Sequence, residues 1–270
     1  MEQGNHSRTY PALRCKKEGC RSSDFDFIGE EPLLIRIDGS PYSVVMRTPG
    51  QELFHAAGFC LGEGIADSPD DFATIGFCKD LDPNVVDIRL TPRRREQIPD
   101  LLARRGFVSQ TSCGICGKEM VKDLFQMIHP MKDDFSIGVS QVLGCIDKLF
   151  AQQSYYPKTR GSHAAMLFDD RLEAIAFAED VGRHNALDKA VGSAFLEQKL
   201  ASAKLLTMSS RISYELVQKA ARARLPLVVS KSRPTALAVE MGTALNMTLA
   251  CAFSREELLV VCGDRRIVRV

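Results

Sequence analysis

The stretch HAAMLFDDRLEAIAFAEDVGRHNALDKAVGSAFLE, residues 163–197, contains the pattern of two strands and a helix. His163–Phe168 and Leu172–Ala178 are apolar runs on either side of Asp169-Asp170, which is typical of a β-hairpin. From Arg183 to Glu197 the apolar residues instead recur at helical spacing, which predicts an amphipathic helix. A hairpin followed by a helix indicates a sheet that is not purely parallel and that carries a helix on its face.

The chain after this stretch continues to alternate strands and helices. Strands are predicted at Lys204–Met208, Leu225–Val229, Met247–Phe253, Leu258–Val261 and Ile267–Val270, and helices at Arg211–Arg224 and Thr235–Leu245. Before it, Ser140 is predicted to cap a further helix. Alternation of this kind predicts a layered α/β/α domain with a mixed sheet.

The first part of the chain predicts a smaller α+β domain. Its strands are predicted at Leu33–Ile37, Tyr42–Met46, Phe72–Phe77 and Val85–Leu90, and its helices at Gln51–Gly64 and Arg93–Arg105. We place the boundary near residues 106–112, with a small domain at 25–108 and the larger domain at 109–270. Residues 1–24 show neither period and predict a mobile tail.

Composition excludes several classes of protein. The 270 residues are 45% hydrophobic and 26% charged with a formal net charge of +1, so the chain is neither disordered nor fibrous. At that net charge we do not expect the chain to bind nucleic acid through a general excess of positive charge. No apolar run approaches the ~18 residues that span a bilayer, and the N-terminus lacks the apolar core of a secretory signal. There are nine scattered cysteines, an odd number, which predicts that most of them are reduced thiols and favours a cytoplasmic protein.

The sharpest chemical motif is TSCGICGK, residues 111–118, with Cys113 and Cys116 two residues apart. Such a pair can bind a metal, cycle between dithiol and disulfide, or carry sulfur as a persulfide. Structural zinc needs four ligands, and only Cys15 and Cys20 offer a second pair, so no structural metal is expected. Redox cycling stays open, although the weak strand before the motif does not resemble a thioredoxin site.

The surroundings of the motif favour sulfur transfer. Gly114 and Gly117 leave the backbone free and the thiols uncovered. Lys118, with Arg104 and Arg105 nearby, favours the thiolate over the thiol by charge. The spacing permits a persulfide carrier without proving one.

A second motif is EDVGRHNALDK, residues 179–189, which joins a strand to a helix. Ligands of open α/β sheets bind at strand ends, so Arg183 and His184 are candidate binding residues, with Asp188 one turn away to orient His184. The alternative is a helix cap by Asp180 and a surface His184. His163, at a strand start, is more often structural in such a position than catalytic.

Two polar loops also lie between a strand and a helix. They are Ser209-Ser210-Arg211 and Ser230–Thr235, and neither is a Walker motif. Hydroxyls and arginines at helix N-termini bind phosphate, which makes Ser210, Arg211, Ser232 and Thr235 candidates for a nucleotide or pterin phosphate. Ordinary helix capping is the alternative for each loop.

The motifs occur in an order that resembles the FdhD/NarQ family, the formate dehydrogenase accessory sulfurtransferases. The matching segments are MRTPG (46–50), GF (58–59), EGI (63–65), SCGICG (112–117), HAA (163–165), EDVGRHNALDK (179–189), SYE (213–215) and LAVE (237–240). The resemblance covers the chain from about Glu30 to its end. Two departures are Ser210, where the family commonly has Gly, and Leu259–Cys262, where it often has aromatic residues.

The resemblance implies a cytidine deaminase-like fold for the larger domain and a role as sulfur carrier. Sulfur would pass from an IscS-like cysteine desulfurase to the molybdenum cofactor before insertion into formate dehydrogenase, with the persulfide on Cys113 and Cys116 assisting. The acceptor would be the bis(molybdopterin guanine dinucleotide) form, bound through its guanine nucleotides. The residues implied to bind it are Leu258, Leu259, Val260, Val261, Cys262 and Gly263. We also expect a homodimer, no nucleic acid and no membrane as partners.

Deaminase activity is not implied, because the zinc motif H-x-E with a later P-C-x-x-C is missing: Ala164 and Ala165 follow His163. A second interpretation is a cofactor-binding chaperone for formate dehydrogenase in which the cysteine pair is structural.

Overall fold

The computed structural model describes residues 6–77, 83–103 and 128–268. Cys113, Cys116 and the predicted boundary at 106–112 lie outside the described residues. The first described elements are β1 (Ser7–Lys16), β2 (Gly19–Ile28), β3 (Glu31–Ile37), β4 (Ser40–Arg47), α1 (Glu52–Gly62), β5 (Phe72–Phe77), β6 (Val85–Leu90), α2 (Pro92–Gln97) and α3 (Pro99–Ala103).

The remaining elements follow residue 128. They are β7 (Ile137–Gly138), α4 (Val139–Gln152), α5 (Tyr156–Thr159), β8 (His163–Phe168), β9 (Ala174–Asp180), α6 (Arg183–Leu196), β10 (Leu205–Arg211), α7 (Tyr214–Arg222), β11 (Leu227–Ser232), α8 (Ala236–Ala244), β12 (Thr248–Ala252), β13 (Leu258–Cys262) and β14 (Ile267–Val268). No helix among the described residues has the length and apolar character to cross a membrane.

The larger sheet has six strands in the order β13-β12-β11-β10-β8-β9. β10, β11 and β12 are parallel, whereas β8, β9 and β13 run antiparallel to their neighbours. The prediction of a mixed sheet containing the hairpin is therefore confirmed. The expected likeness to cytidine deaminases stays a prediction.

Helices cover both faces of this sheet. Side chains alternate along each strand, so Leu205 and Leu227 pack with α4, while Leu206 and Val228 face the core shared by α6, α7 and α8. Burial of both faces explains why these strands are continuous apolar runs in the sequence.

The smaller sheet has the order β4-β3-β6-β5, and its buried residues join the same core as α1 and α6. α1 and α6 come into contact at a glycine of each helix, Gly58 in α1 and Gly192 in α6. A Cβ on Gly58 would lie 1.9 Å from the backbone oxygen of Asp188, and one on Gly192 would lie 1.8 Å from that of Phe54. These glycines allow the two helices, and thus the two sheets, to pack closely.

The N-terminal segment differs from the predicted mobile tail. β1 and β2 form an antiparallel hairpin in which Cys15 pairs with Cys20, and the two are joined by a disulfide. The hairpin was missed because most of its residues are exposed on both faces, so it lacks the alternation that marks a half-buried strand. The sequence predicted that most of the nine cysteines are reduced thiols, and these two are exceptions.

Three helix boundaries also differ. The helix predicted over Arg93–Arg105 is divided into α2 and α3 ahead of Pro99, since proline disfavours a helical residue before it. Gly138, and not Ser140, precedes the first residue of α4. The backbone N–H of Gly138 donates a hydrogen bond to Gln141 Oε1 at 3.0 Å. Arg211 belongs to β10, so α7 begins at Tyr214.

Candidate functional site

One edge of the larger sheet collects the polar segments that the sequence singled out. The carboxyl ends of β10 and β11 lie there. The start of β8 lies there because β8 runs antiparallel to β10, and the end of β9 lies there because β9 runs antiparallel to β8. His163 pairs in register with Asp180, and Ser209 Oγ accepts a hydrogen bond from Ala164 N at 2.8 Å. We call this edge the site edge.

The first turns of α6 and α7 meet at the site edge. His184 Nε2 lies 2.8 Å from Glu215 Oε2, with side chains 26% and 43% exposed. The close contact with His184 lowers the pKa of Glu215, whereas burial acts in the opposite direction. Glu215 belongs to the SYE segment of the family resemblance, but the sequence alone indicated no role for it.

The sequence predicted that Asp188 orients His184, but Asp188 pairs with Lys219 instead. Both of its carboxylate oxygens accept hydrogen bonds from Lys219 Nζ at 2.9 Å, and Glu63 approaches the same ammonium at 3.7 Å. Asp188 is buried between helices, where an uncompensated charge is costly, so it pairs with the buried cation of α7.

Arg183 brings positive charge to the site edge beside His163. Burial lowers the pKa of His163, and Arg183 lowers it further, partly opposed by Asp180. Arg183 Nε is buried, and among the described residues it has no hydrogen-bond partner. The hydroxyl of Ser213, which precedes α7, is likewise buried without a partner in the described part of the chain.

Asp180 is structural and more than a helix cap. It is fully buried, lies 2.6 Å from Lys189 Nζ and accepts hydrogen bonds from the backbone N–H groups of Gly182 and Thr48 at 2.8 and 3.1 Å. Lys189 in turn donates to the backbone oxygen of Thr48 at 2.7 Å. Burial lowers the pKa of Lys189, and Asp180 opposes that shift. This buried pair fixes the MRTPG loop of the smaller sheet beneath the site edge.

Glu179 has a similar role on the other side. Its carboxylate accepts hydrogen bonds from three consecutive backbone N–H groups, those of Ser154, Tyr155 and Tyr156, at 2.6–2.9 Å. It also accepts one from Ser162 Oγ at 2.6 Å. Glu179 therefore holds the turn before β8 in place, a role that no local spacing could reveal.

Most hydroxyls of the two polar loops are used internally. Thr235 Oγ1 accepts from Ala238 N at 3.3 Å, which is the capping alternative for that residue. Ser230 Oγ donates to the Ser210 backbone oxygen and accepts from Ser232 N at 3.0 Å. Arg211 is exposed at the end of β10. The Arg233 guanidinium lies 5.5 Å from the ring centre of Phe253, a half-exposed aromatic residue that the sequence did not single out.

Leu258–Gly263 does not lie wholly at the site edge. Because β13 is antiparallel to β12, Leu258 pairs with Ala252 at the site edge, whereas Cys262 pairs with Leu249 at the opposite end. Gly263 adopts φ +66°, and a Cβ there would lie 2.2 Å from the Met247 backbone oxygen. Leu259, Val260 and Val261 lie between these ends. Of the six residues implied to bind the cofactor, Leu258 thus lies with the polar loops, whereas Cys262 and Gly263 lie away from them.

A cavity of about 470 Å³ lies at the opposite edge, near the amino ends of β10 and β11. Its charged side chains are largely paired, with Lys204 Nζ 2.7 Å from Asp133 and Arg222 Nη2 2.5 Å from Asp67. Within residues 6–77, 83–103 and 128–268 no group of three or more His, Cys, Asp or Glu side chains could hold a metal ion.

Comparisons with known proteins agree on one family. The sequence model of the FdhD/NarQ family matches residues 28–268. The chain is 35% identical over 250 residues to the "Sulfur carrier protein FdhD" of Streptomyces avermitilis, covering 89% of this chain and 88% of that protein. It is 37% identical over 247 residues to the protein of the same name from Anaeromyxobacter dehalogenans, covering 87% and 85%.

A solved structure supports the fold. A putative formate dehydrogenase accessory protein from Desulfotalea psychrophila superposes with a TM-score of 0.78 and 20% identity, covering 98% of this chain and 100% of that one. At that identity the likeness concerns the fold alone. Because the family model matches nearly the whole chain and the sequence relatives cover most of it, this chain belongs to the FdhD/NarQ family.

Proposed function

We propose that this protein is a sulfur carrier that serves formate dehydrogenase. It accepts sulfur from a cysteine desulfurase as a persulfide on Cys113 and passes it to the bis(molybdopterin guanine dinucleotide) molybdenum cofactor. The observation that carries the proposal is the Cys113–Cys116 pair inside the region matched by the family. The relatives from Streptomyces avermitilis and Anaeromyxobacter dehalogenans are named sulfur carrier proteins, which supports the same role.

Loading begins with attack of the Cys113 thiolate on the outer sulfur of the donor persulfide. The new bond makes a Cys113 persulfide, and the donor cysteine leaves as a thiolate. The positive charges of Lys118 and of Arg104 and Arg105, which precede the motif in the sequence, favour the attacking thiolate.

Delivery needs two electrons, and Cys116 supplies them together with Cys113. Attack of the Cys116 thiolate on the inner sulfur forms the Cys113–Cys116 disulfide and releases the outer sulfur as sulfide. The sulfide then replaces an oxo ligand of the substrate molybdenum, and the oxygen leaves as water. We assign the proton for that oxygen to His184, whose Nε2 lies 2.8 Å from Glu215 Oε2.

The site edge has the groups that an anionic dinucleotide needs. Arg183 Nε and Ser213 Oγ are buried donors that lack partners among the described residues, and α6 and α7 both begin there without a side-chain cap. Helix N-termini favour anions, and arginine binds phosphate through paired hydrogen bonds. Arg211, exposed at the end of β10, adds a further positive charge.

Nine residues lie between Ala103, the last described residue before the motif, and Cys113. The ten Cα–Cα steps of that segment span at most about 33–36 Å when fully extended. The seven residues of β10 cover only about 23 Å.

Calorimetry with GDP and ADP tests the acceptor site. We expect GDP to bind more tightly than ADP and Arg183→Ala to weaken GDP binding at least tenfold. Arg171→Ala, an exposed arginine in the turn between β8 and β9 at the opposite edge, is the matched control and should bind GDP normally. Equal binding of both nucleotides, or of neither, would remove the guanine-specific site.

A further inference from the structure

The hairpin of β1 and β2, which we call the arm, has a second cysteine pair that the proposed function does not use. Cys15 and Cys20 are partners in register and are joined by a disulfide. They lie before residue 28, where the match to the family begins. Only the Lys16–Gly19 pair and the turn lie beyond them, so the disulfide is near the tip of the arm.

Both cysteines are open to solvent. Each is exposed, and the adjacent pair on the same face of the arm, Leu13 and Ser22, is exposed as well. Within the described part of the chain, no other element covers these residues. Exposed disulfides are more easily reduced than buried ones and are typical of exchange sites.

The charge around the pair favours thiolates. Arg14 pairs with Arg21 in register beside the disulfide, and Lys16 and Lys17 follow Cys15, against a single acidic residue in the turn, Glu18. These positive charges lie within one or two residues of a sulfur, which is inside the screening length of ~10 Å. Cations near a cysteine lower the free energy of its thiolate, so both attack and departure at these sulfurs are favoured.

The arm is also held by contacts other than the disulfide. Ten register pairs connect its strands, and a two-residue turn already brings Cys15 opposite Cys20. Its base is fixed by a hydrogen bond from Gly29 N to the His6 backbone oxygen at 2.7 Å and by one between His6 Nδ1 and the Pro49 backbone oxygen at 2.9 Å. We therefore expect the arm to stay paired after reduction, with two free thiols near its tip.

We propose that Cys15 and Cys20 form a reversible thiol–disulfide exchange site whose reaction partner is a dithiol. A thiolate of the partner attacks one of the two sulfurs, the Cys15–Cys20 bond breaks, and the freed cysteine leaves as a thiolate and takes a proton. The second thiolate of the partner then breaks the mixed disulfide and frees the other cysteine. Two electrons pass to the chain, and the partner leaves as a disulfide. This site is independent of the proposed function at Cys113.

Redox titration of the full chain in native buffer tests the proposal. The chain is equilibrated with mixtures of reduced and oxidised dithiothreitol, alkylated, and analysed by peptide mass spectrometry, which separates Cys15 and Cys20 from Cys113 and Cys116. We expect Cys15 and Cys20 to become alkylated together in one two-electron step while the melting temperature shifts by less than about 2 °C. Thiols that appear only under unfolding conditions, or a pair that stays reduced throughout, would overturn the proposal.

Cys145 provides an internal control. It is buried, and burial raises its pKa to about 11, so at pH 8 its thiolate is about two orders of magnitude scarcer than that of an ordinary cysteine. We expect the arm cysteines to react faster than Cys145 by at least that factor.

Single variants test exchange without full reduction. Cys15→Ser and Cys20→Ser each leave one thiol on the arm, and with oxidised glutathione each should form one mixed disulfide while folded. The double variant Cys15→Ser/Cys20→Ser should form none on the arm. Single variants that stay unmodified in the folded state would contradict the exchange site, whatever the result of sulfur loading on Cys113.

Discussion

His184 on α6 and Glu215 on α7 form a close side-chain pair across two helices, with 2.8 Å between Nε2 and Oε2. The pair lies at the site edge and is partly open to solvent. The Asp180–Lys189 pair at the end of β9 is instead fully buried. Partly exposed ion pairs stabilise proteins by at most about 1 kcal/mol. We therefore expect this pair to matter for activity and the buried pair to matter for stability.

Replacing either member should separate sulfur loading from delivery. For His184→Ala and Glu215→Gln we expect normal persulfide loading on Cys113, at least tenfold weaker activation of formate dehydrogenase, and a stability change within about 1 kcal/mol. Lys199→Ala, which breaks the exposed Lys199–Glu197 pair at 2.7 Å, is the matched control and should leave both steps unchanged. Full activation by both site variants would restore the helix-cap interpretation of this segment.

The Asp180–Lys189 pair should be among the most sensitive points of the fold. Asp180→Ala leaves Lys189 buried without its carboxylate and frees the backbone of Thr48, so we expect a loss of about 3–5 kcal/mol in the free energy of unfolding. Urea denaturation measures it. Asp24→Ala, at an exposed position of the arm, should change stability by less than about 0.5 kcal/mol. A loss below about 1 kcal/mol for Asp180→Ala would contradict the structural role.

Gly58 tests the close contact of α1 and α6. A methyl group there would lie 1.9 Å from the Asp188 backbone oxygen, so Gly58→Ala should destabilise the protein by at least ~2 kcal/mol. Gly144→Ala is the matched control in α4, since a Cβ at Gly144 meets nothing within 4 Å, and it should be neutral or stabilise by up to about 1 kcal/mol. Equal melting temperatures for the two variants would show that the helices do not meet as described.

Buried His55 should make stability fall on acidification. Burial, with the added effect of Lys189 and Lys219, holds its pKa well below the usual 6.5. Below pH 6.5 the unfolded chain therefore binds a proton at His55 that the folded chain does not, and unfolding is favoured. Between pH 7 and 5.5 we expect this group to remove about 1 kcal/mol of stability. Urea denaturation of His55→Gln at both pH values checks this, because the variant should lose that part of the pH dependence; an unchanged dependence would contradict it.

Local pattern was sufficient for much of the fold. The strands Phe72–Phe77 and Val85–Leu90 have the predicted bounds, because each alternates or runs apolar over one short segment. The arm was missed because its pairing is not accompanied by burial, so no period in the residues reports it. The break before Pro99 was visible in the sequence but was outweighed by the helical spacing around it.

The candidate site was predictable only in outline. Arg183 and His184 were placed at a strand end by pattern alone, and the structure brings them beside Glu215. The pairing of Asp188 with Lys219 joins residues that are far apart in sequence, and local spacing favoured His184 instead. The direction of β13 likewise depends on its partner strand, so the sequence could not show that Cys262 lies at the opposite edge.

Intact-mass measurement of persulfide loading tests the sulfur-carrier proposal most directly. The protein is incubated with a cysteine desulfurase and cysteine, with the arm cysteines replaced by serine so that only the remaining thiols respond. We predict a gain of one sulfur atom that a reductant reverses, that maps to Cys113 and that Cys113→Ala abolishes without a change in melting temperature. No gain, or a gain that persists in Cys113→Ala, would contradict the carrier role; no gain together with intact binding of GDP would favour a cofactor-binding chaperone.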